Sequence, residues 1–398
     1  MLDWLIIGGG IHGVYVANML MNTDRHAGRR RRSLRILDPN ASLIARWRTL
    51  TARINMPYLR SPRVHHIDLA ANSLYEYIKS RSQQIETSYL QPYYRPKLEL
   101  FNQHCQHVID VNGISLLHIQ GKAKNLKICG GGYEISTDKG CIRAKNVVLC
   151  LGPSEKPMWP EWAKRLRSLD FPIEHIFDRT STLLSICDQE DLAIIGGGLT
   201  AAQLWLNFAN QSDNAFTAIS RHDLRIHQFD SDPGWIGPKY LTEFQHTRDY
   251  TRRREIILTV RNHGSITEEI ATKVNHLKSR GKLNLIVDDI KDTYLRNGGT
   301  VEIVFKKKNT AITKVKRILL ATGFDSERPG GTFVDHVISE MSLPCAACGY
   351  PILNSALKWR PNLYVTGQLA ELEIGPVARN IIGVRLAGRR LHTVFSGA

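Results

Sequence analysis

Ile6-Ile7-Gly8-Gly9-Gly10-Ile11-His12-Gly13 opens this chain, and Ile194-Ile195-Gly196-Gly197-Gly198-Leu199-Thr200-Ala201 repeats the design near its middle. Each stretch follows a short apolar run and begins an apolar-periodic segment, which predicts a strand, a tight turn and a helix. In such a unit the first glycine makes the turn, the second lets the backbone approach a pyrophosphate, and the third position lets helix pack closely on strand. Gly8, Gly10 and Gly13 fill these roles first, then Gly196, Gly198 and Ala201. The helix behind each turn offers free amides and a partial positive charge to the phosphates. One glycine-rich turn is a weak signal. Two in the same strand-helix context imply two bound dinucleotides.

The residue that ends the second strand of each unit says which nucleotide fits. After Gly13 a helix is predicted to about Met21, and Leu34-Arg35-Ile36-Leu37 then forms a strand ending at Asp38. A carboxylate there accepts hydrogen bonds from both ribose hydroxyls, which suits an adenosine without a 2′-phosphate, as in FAD or NAD. In the second unit the helix runs to about Asn210, Ala215 to Ile219 form the strand, and Ser220-Arg221-His222 follows in place of an acid. Arg221, with Arg225, offers a charge-assisted fork to a 2′-phosphate, so this site reads as NADP. Asp223 stands close by, and a solvated surface arginine is the plain alternative.

With 398 residues and a hydrophobic fraction of 42%, the chain has material for two globular cores. No apolar run approaches the roughly 18 to 20 residues of a membrane span. Strand one begins next to Met1, leaving no room for a cleavable signal, and seven scattered cysteines do not form a disulfide framework, so a cytoplasmic location is expected. Lys and Arg total 53 against 37 Asp and Glu, a formal charge of +16. Arg29 to Arg32, Arg252 to Arg254 and Lys306 to Lys308 contribute runs, but none is interleaved with aromatic residues as a nucleic-acid surface would be. Solvated connections that attract anionic cofactors are the expected reading; an anionic partner surface is the alternative.

Residues 41 to 100 are polar and aromatic with several prolines. His118 to Val148 then reads as a meander of short strands, with Lys124 to Cys129 and Tyr133 to Thr137 flanking Gly130-Gly131-Gly132 as a hairpin. Asn146 to Leu151 is a buried strand that brings Gly152 beside a ligand crevice, and Arg317 to Ala321 repeats the ending at Gly323. The fold class is α/β: two Rossmann-like dinucleotide-binding domains, a small β-meander and a helical insertion. An FAD-binding domain over 1–185 is interrupted by an NAD(P)H-binding domain over 186–317, which carries the insertion at 229–281, and resumes over 318–398. The insertion caps the nicotinamide or simply packs.

These features together resemble the flavoproteins with two dinucleotide-binding domains, and within them the class B flavin monooxygenases of the lysine and ornithine N-hydroxylase branch. The residues that carry the likeness are the two glycine clusters, Ala321-Thr322-Gly323-Phe324, and the final Leu363 to Ala370 and Gly375 to Gly383. The resemblance covers nearly the whole chain. It implies FAD at Gly8, Gly10, Gly13 and Asp38, NADPH at Gly196, Gly198 and Arg221, and cofactor contacts at Gly152, Gly323, Gly367 and Gly375. It further implies NADPH reduction of the flavin, a C4a-peroxyflavin, and hydroxylation of a small substrate, an amine in that branch. By analogy Trp47 and Arg48 lie near the flavin, while Met56 to Arg60 approach its reactive edge. Two departures stand out. Gln368 replaces the aspartate that many relatives carry after the strand glycine, and Phe171-Pro172-Ile173-Glu174-His175 lacks the Baeyer-Villiger fingerprint, which disfavours ketone oxygenation.

In the last segment a helix is predicted to start at Gly375-Pro376, with an apolar face of Val377, Ile381, Val384 and Leu386 and its N-terminus aimed at the flavin pyrimidine. A terminal packing helix is the alternative. His65 and His66 point different ways on a regular backbone, so no metal site is expected there; each is a candidate proton relay at the flavin or a loop histidine. Arg60 is either an anchor for an acidic substrate or a solvated charge. Cys345-Ala346-Ala347-Cys348 carries the rival reading, an NADPH-dependent flavin reductase acting on a disulfide or protein acceptor. A flavin-binding regulatory protein with little turnover is a third. The expected partner is a small molecule, with neither nucleic acid nor a membrane span.

Overall fold

The computed structural model describes all residues except 29, 31, 82–83, 154–155, 179–190, 308–311 and 397–398. Arg29, Arg31 and Lys308 of the basic runs, and the expected domain junction at 185/186, lie outside the described residues. Two sheets organise the molecule, the second parallel and the first parallel at its centre with antiparallel additions. The first orders its strands Lys358–Arg360, Leu363–Val365, Gly140–Leu149, Leu2–Ile7, Leu34–Asp38 and His118–Gln120, with the hairpin strands Ala123–Cys129 and Gly132–Thr137 branching from Gly140–Leu149. The second orders Leu283–Val287, Phe216–Ser220, Leu192–Ile195, Arg317–Leu320 and Ile173–His175. Trp4 to Ile7, Val147 to Leu149 and Leu192–Ile195, the inner stretches of the central strands, are apolar and buried, as sheets covered by helices on each side require.

The two glycine clusters repeat each other down to the register. Ile7 pairs with Leu37 and Leu149, and Ile195 pairs with Ile219 and Leu320. Gly8 donates its N–H to the Leu37 carbonyl and Gly196 to that of Ile219. Asp38 and Ser220 therefore occupy equivalent places, as do Cys150 and Ala321, and Gly152 and Gly323.

Several expected boundaries move. The first helix is Ile11–His26, longer than expected, because Asn22 to His26 carry no helix breaker before Gly28. The meander's last strand and the buried closing strand are one strand, Gly140–Leu149, whose start pairs with the hairpin and whose end pairs with Leu2–Ile7. Ile173–His175 and Arg317–Leu320 both belong to the second sheet. A strand of three residues carries too little pattern to reveal which sheet it joins. The expected helix at Gly375 is broken: short turns at Glu371–Ile374 and Pro376–Arg379 precede the long helix Ile381–Ser396. Gly375 sits at φ +97°, outside helical space.

The insertion folds as Pro238–His246, Tyr250–Val260 and Glu268–Ser279. Its Trp235, Phe244 and Ile257 pack with Tyr350, Leu372 and Val377, so it covers the C-terminal segment of the first unit. Two arginines of the run Arg252 to Arg254 are paired there rather than freely solvated: buried Arg253 with Glu373, and half-buried Arg254 with the fully buried Glu371.

Candidate functional site

The first glycine turn is shaped by close approach. Gly8 has φ +110°, and a Cβ added there would lie 2.4 Å from the Cys150 carbonyl oxygen. At Gly13 an added Cβ would lie 1.8 Å from the Gly8 carbonyl oxygen, so helix and strand touch backbone to backbone. Gly10 differs: nothing stands within 4 Å of its added Cβ. The turn is thus packed from behind at Gly8 and Gly13 and open in front at Gly10, where backbone amides of the helix Ile11–His26 begin. That is the cradle a pyrophosphate requires. Asp38 is held at its edge, Oδ2 accepting the Gly9 N–H at 2.6 Å and Oδ1 accepting from the Asn40 N–H at 2.9 Å.

The second turn shares this geometry. Gly196 has φ +147°, and its added Cβ would lie 2.6 Å from the Ala321 carbonyl oxygen. Ala201, at the third position, is fully buried. Arg221 is exposed directly beyond Ser220, and Arg225 donates to the His263 carbonyl at 3.3 Å. In front of Gly198 the space is filled: the Gly264 Cα lies 3.2 Å from where its Cβ would be.

His12, an unspecified position of the first cluster, ties the turn to the C-terminal segment. Its Nε2 lies 3.2 Å from the Asn380 carbonyl oxygen and its Nδ1 3.2 Å from Thr366 Oγ1. The carbonyl can only accept, so Nε2 carries the proton and Nδ1 accepts from the threonine hydroxyl. Burial pushes the His12 pKa down to about 4, which keeps the ring neutral. Gly367 is buried beside it at φ +71°, its added Cβ 3.7 Å from His12 Nδ1. Next in the chain, Gln368 donates to the Tyr350 hydroxyl at 3.0 Å, while its buried Oε1 has no partner.

The link between the units gathers Gly152, Gly323 and an arginine that sequence reasoning missed. Arg46 donates to the Pro153 carbonyl at 3.2 Å and lies over the Phe324 ring at 5.6 Å, and Phe324 stacks on Phe177. Among the described residues nothing stands within 4 Å of the added Cβ of Gly323, and at Gly152 the neighbour is Arg46. Trp47 donates its Nε1–H to Asn102 at 3.1 Å, and Arg48 donates to Gln106 at 2.7 Å. An open cavity of about 660 Å³ lies alongside, lined by Arg48, Met56, Tyr58, Lys97, Glu99 and Asn102 among others.

Four candidates are placed differently from expectation. Arg60 donates to the carbonyls of His227, Gln228 and Phe229 and to Ser265 Oγ, at 2.7 to 3.0 Å. His65 and His66 are buried. His66 is bonded to the Ala71 carbonyl and packs edge-on against His104 beside Arg385, so its partners belong to neither glycine turn. Desolvation holds both histidines at about 4. Gly375 faces the insertion, its added Cβ 3.1 Å from Leu241 Cδ2. Sequence pattern could not find these roles, because each depends on what a distant segment brings against the residue.

Residues 5–154 match the profile of a family described as FAD-NAD(P)-binding. Comparison with curated protein sequences gives no match. Among solved structures, the FAD-bound cadaverine monooxygenase of Erwinia amylovora superposes with a TM-score of 0.77 at 13% identity, over 100% of this chain and 95% of that one. The chain shares the fold of this flavin monooxygenase. The ornithine hydroxylase of Pseudomonas aeruginosa gives 0.76 at 12% identity, over 100% and 99% of the two chains. The L-lysine 6-monooxygenase of Pseudomonas syringae gives 0.75 at 15%, over 99% of each. Within this flavin-monooxygenase fold the chain aligns end to end with its neighbours. At these identities the likeness is one of fold. No helix among the described residues is long and apolar enough to cross a membrane.

Proposed function

We propose that this chain is an FAD-dependent, NADPH-using monooxygenase that hydroxylates a small amine. The observation that carries this reading is the pair of register-matched glycine units, the first open in front of Gly10 and tied by His12 to the C-terminal segment that carries Gly367. Gly8, Gly10, Gly13 and Asp38 would hold FAD, with Trp47, Arg48 and Gly152 beside it, and Gly196, Gly198, Ala201 and Arg221 would hold NADPH. The residues fit FAD: the cradle at Gly10 is empty of protein, and the orphaned Gln368 Oε1 would accept a cofactor hydroxyl. A buried acceptor left unpaired costs about 1–3 kcal/mol, so a donor there is worth that much to binding. Bound flavin, reduced by NADPH, would supply the oxygen chemistry.

The protein's own work is placement. Neutral His12 locks the first turn to the C-terminal segment without adding charge beside the phosphates. Asp38 presents its carboxylate in the orientation fixed by Gly9 and Asn40. The 660 Å³ cavity offers Lys97 and Glu99, one charge of each sign, to a small polar substrate. Lysine, ornithine and cadaverine are the substrates to try first, because the neighbouring folds act on them. The test is NADPH-dependent oxygen uptake with each amine. Hydroxylamine product, matched to NADPH consumed, supports the reading; acceleration by none of a broad amine panel counts against it.

A reductase reading has one observation in its favour: Cys345 and Cys348 are free thiols on the turn whose Tyr350 meets Gln368. Burial raises the Cys345 pKa, the opposite of what an attacking thiolate needs. Unchanged turnover in Cys345→Ser removes that reading.

A further inference from the structure

The two glycine turns differ in one respect that their shared register makes measurable. At Gly10 the front face is clear, whereas at Gly198 it is met by the backbone of Gly264, 3.2 Å from the added Cβ. The second glycine of such a turn is bare so that pyrophosphate can approach it. Gly264 therefore stands where the phosphates of the second dinucleotide belong. It reaches there at φ +65°, on a turn whose His263 and Gly264 are exposed, with the His222 ring against it. The Arg225 guanidinium holds the His263 carbonyl at 3.3 Å, and further restraints lie at the base of the turn. There Ser265 Oγ donates to the Asn262 carbonyl at 2.6 Å and accepts from Arg60 Nη2 at 2.8 Å. Arg60 comes from the first unit, and its other donors take the carbonyls of residues 227 to 229, the strand end paired with Ser265–Ile266.

We infer that Arg60 is a positioning residue that holds the His263–Ser265 turn closed over the second dinucleotide site, so that NADPH binds only when this turn gives way. The inference rests on the second unit being the NADPH site. A ligand that needs a minority open state binds with an affinity reduced by the open fraction. Releasing the turn must then tighten binding, which is the opposite of what losing a contact to the ligand would do. Arg60 also bridges the two units, which makes it a link through which the first unit sets access to the second.

The experiment measures NADP+ affinity of the FAD-loaded protein by equilibrium dialysis, for the unmodified chain, Arg60→Ala and Ser265→Ala. FAD content and melting temperature report that each variant is folded. The expected result is a Kd for NADP+ lowered about tenfold in Arg60→Ala, and by less in Ser265→Ala, which removes one of the restraints. Hydrogen exchange at 263–266 should rise in both variants. Should Arg60→Ala fail to fold, Ser265→Ala decides alone. An unchanged or raised Kd in the folded variants, with NADP+ still bound by the unmodified chain, overturns the gate and leaves the functional reading standing. No NADP+ binding by any form, with FAD retained, overturns both.

Discussion

Replacing Gly10 with alanine separates a folding role from a binding role at the first turn. Gly10 has φ −75°, ordinary extended backbone, and an added Cβ meets nothing within 4 Å. The fold itself therefore accepts the methyl group. Alanine at a compatible backbone position leaves stability unchanged or raises it by about 0.4–1 kcal/mol. The methyl would nonetheless stand between the phosphates and the amides that open the helix Ile11–His26. Losing two charge-assisted hydrogen bonds at about 1.5 kcal/mol each is about 3 kcal/mol, or roughly a hundredfold in Kd. Gly13→Ala is the control with the opposite signature: its Cβ would fall 1.8 Å from the Gly8 carbonyl oxygen. Helix and strand must separate, at a cost of about 1–3 kcal/mol even without cofactor. Urea melts of the apoprotein and FAD titration followed by quenching of flavin fluorescence read the two quantities apart. An FAD affinity for Gly10→Ala within twofold of the unmodified chain, or a loss of apoprotein stability above about 1 kcal/mol, would refute the reasoning.

Three further outcomes are expected. Arg221→Ala should raise the KM for NADPH by about tenfold or more and leave that for NADH unchanged, since only the 2′-phosphate loses a charge-assisted partner; equal effects on both would remove Arg221 from the phosphate site. His12, His65 and His66 titrate near 4 in the fold against an ordinary value of 6.5, so the unfolded chain binds more protons between those limits. Stability is then fully present above pH 6.5 and lost as pH falls toward 4, by up to about 1.4 kcal/mol per pH unit for each histidine, and His66→Gln should flatten the slope of Tm against pH. Glu371→Gln leaves Arg254 and Arg379 without their buried counter-charge and should cost about 3 kcal/mol, read by urea melting; a loss under about 1 kcal/mol would mean that solvent already screens the pair.

Much of the fold is legible in the sequence because the deciding signals are local. A strand, a glycine turn and a helix occupy consecutive residues, and Asp38, Ser220, Gly152 and Gly323 fall at the ends of apolar runs. Their places at the strand ends follow from register alone. What escaped is tertiary. Arg60 looks the same in sequence whether it faces a substrate or three backbone carbonyls from residues 227 to 229. His65 and His66 read as proton relays at the flavin or as loop residues, yet the helix Ile381–Ser396 brings Arg385 onto His66. The break between Gly375 and Ile381 was hidden by an apolar pattern that short turns satisfy as well as a helix does. Gly264, which lies against Gly198, is one glycine among many until the insertion is folded.

We propose that the first glycine unit holds FAD and the second holds NADPH, near enough for hydride to pass between them. The most direct test is the visible spectrum of the FAD-reconstituted protein under anaerobic conditions. Stoichiometric NADPH should bleach the flavin band, and an equal amount of NADH should do so far more slowly. A protein that takes up no FAD, or whose bound flavin stays oxidised in excess NADPH, would contradict the account.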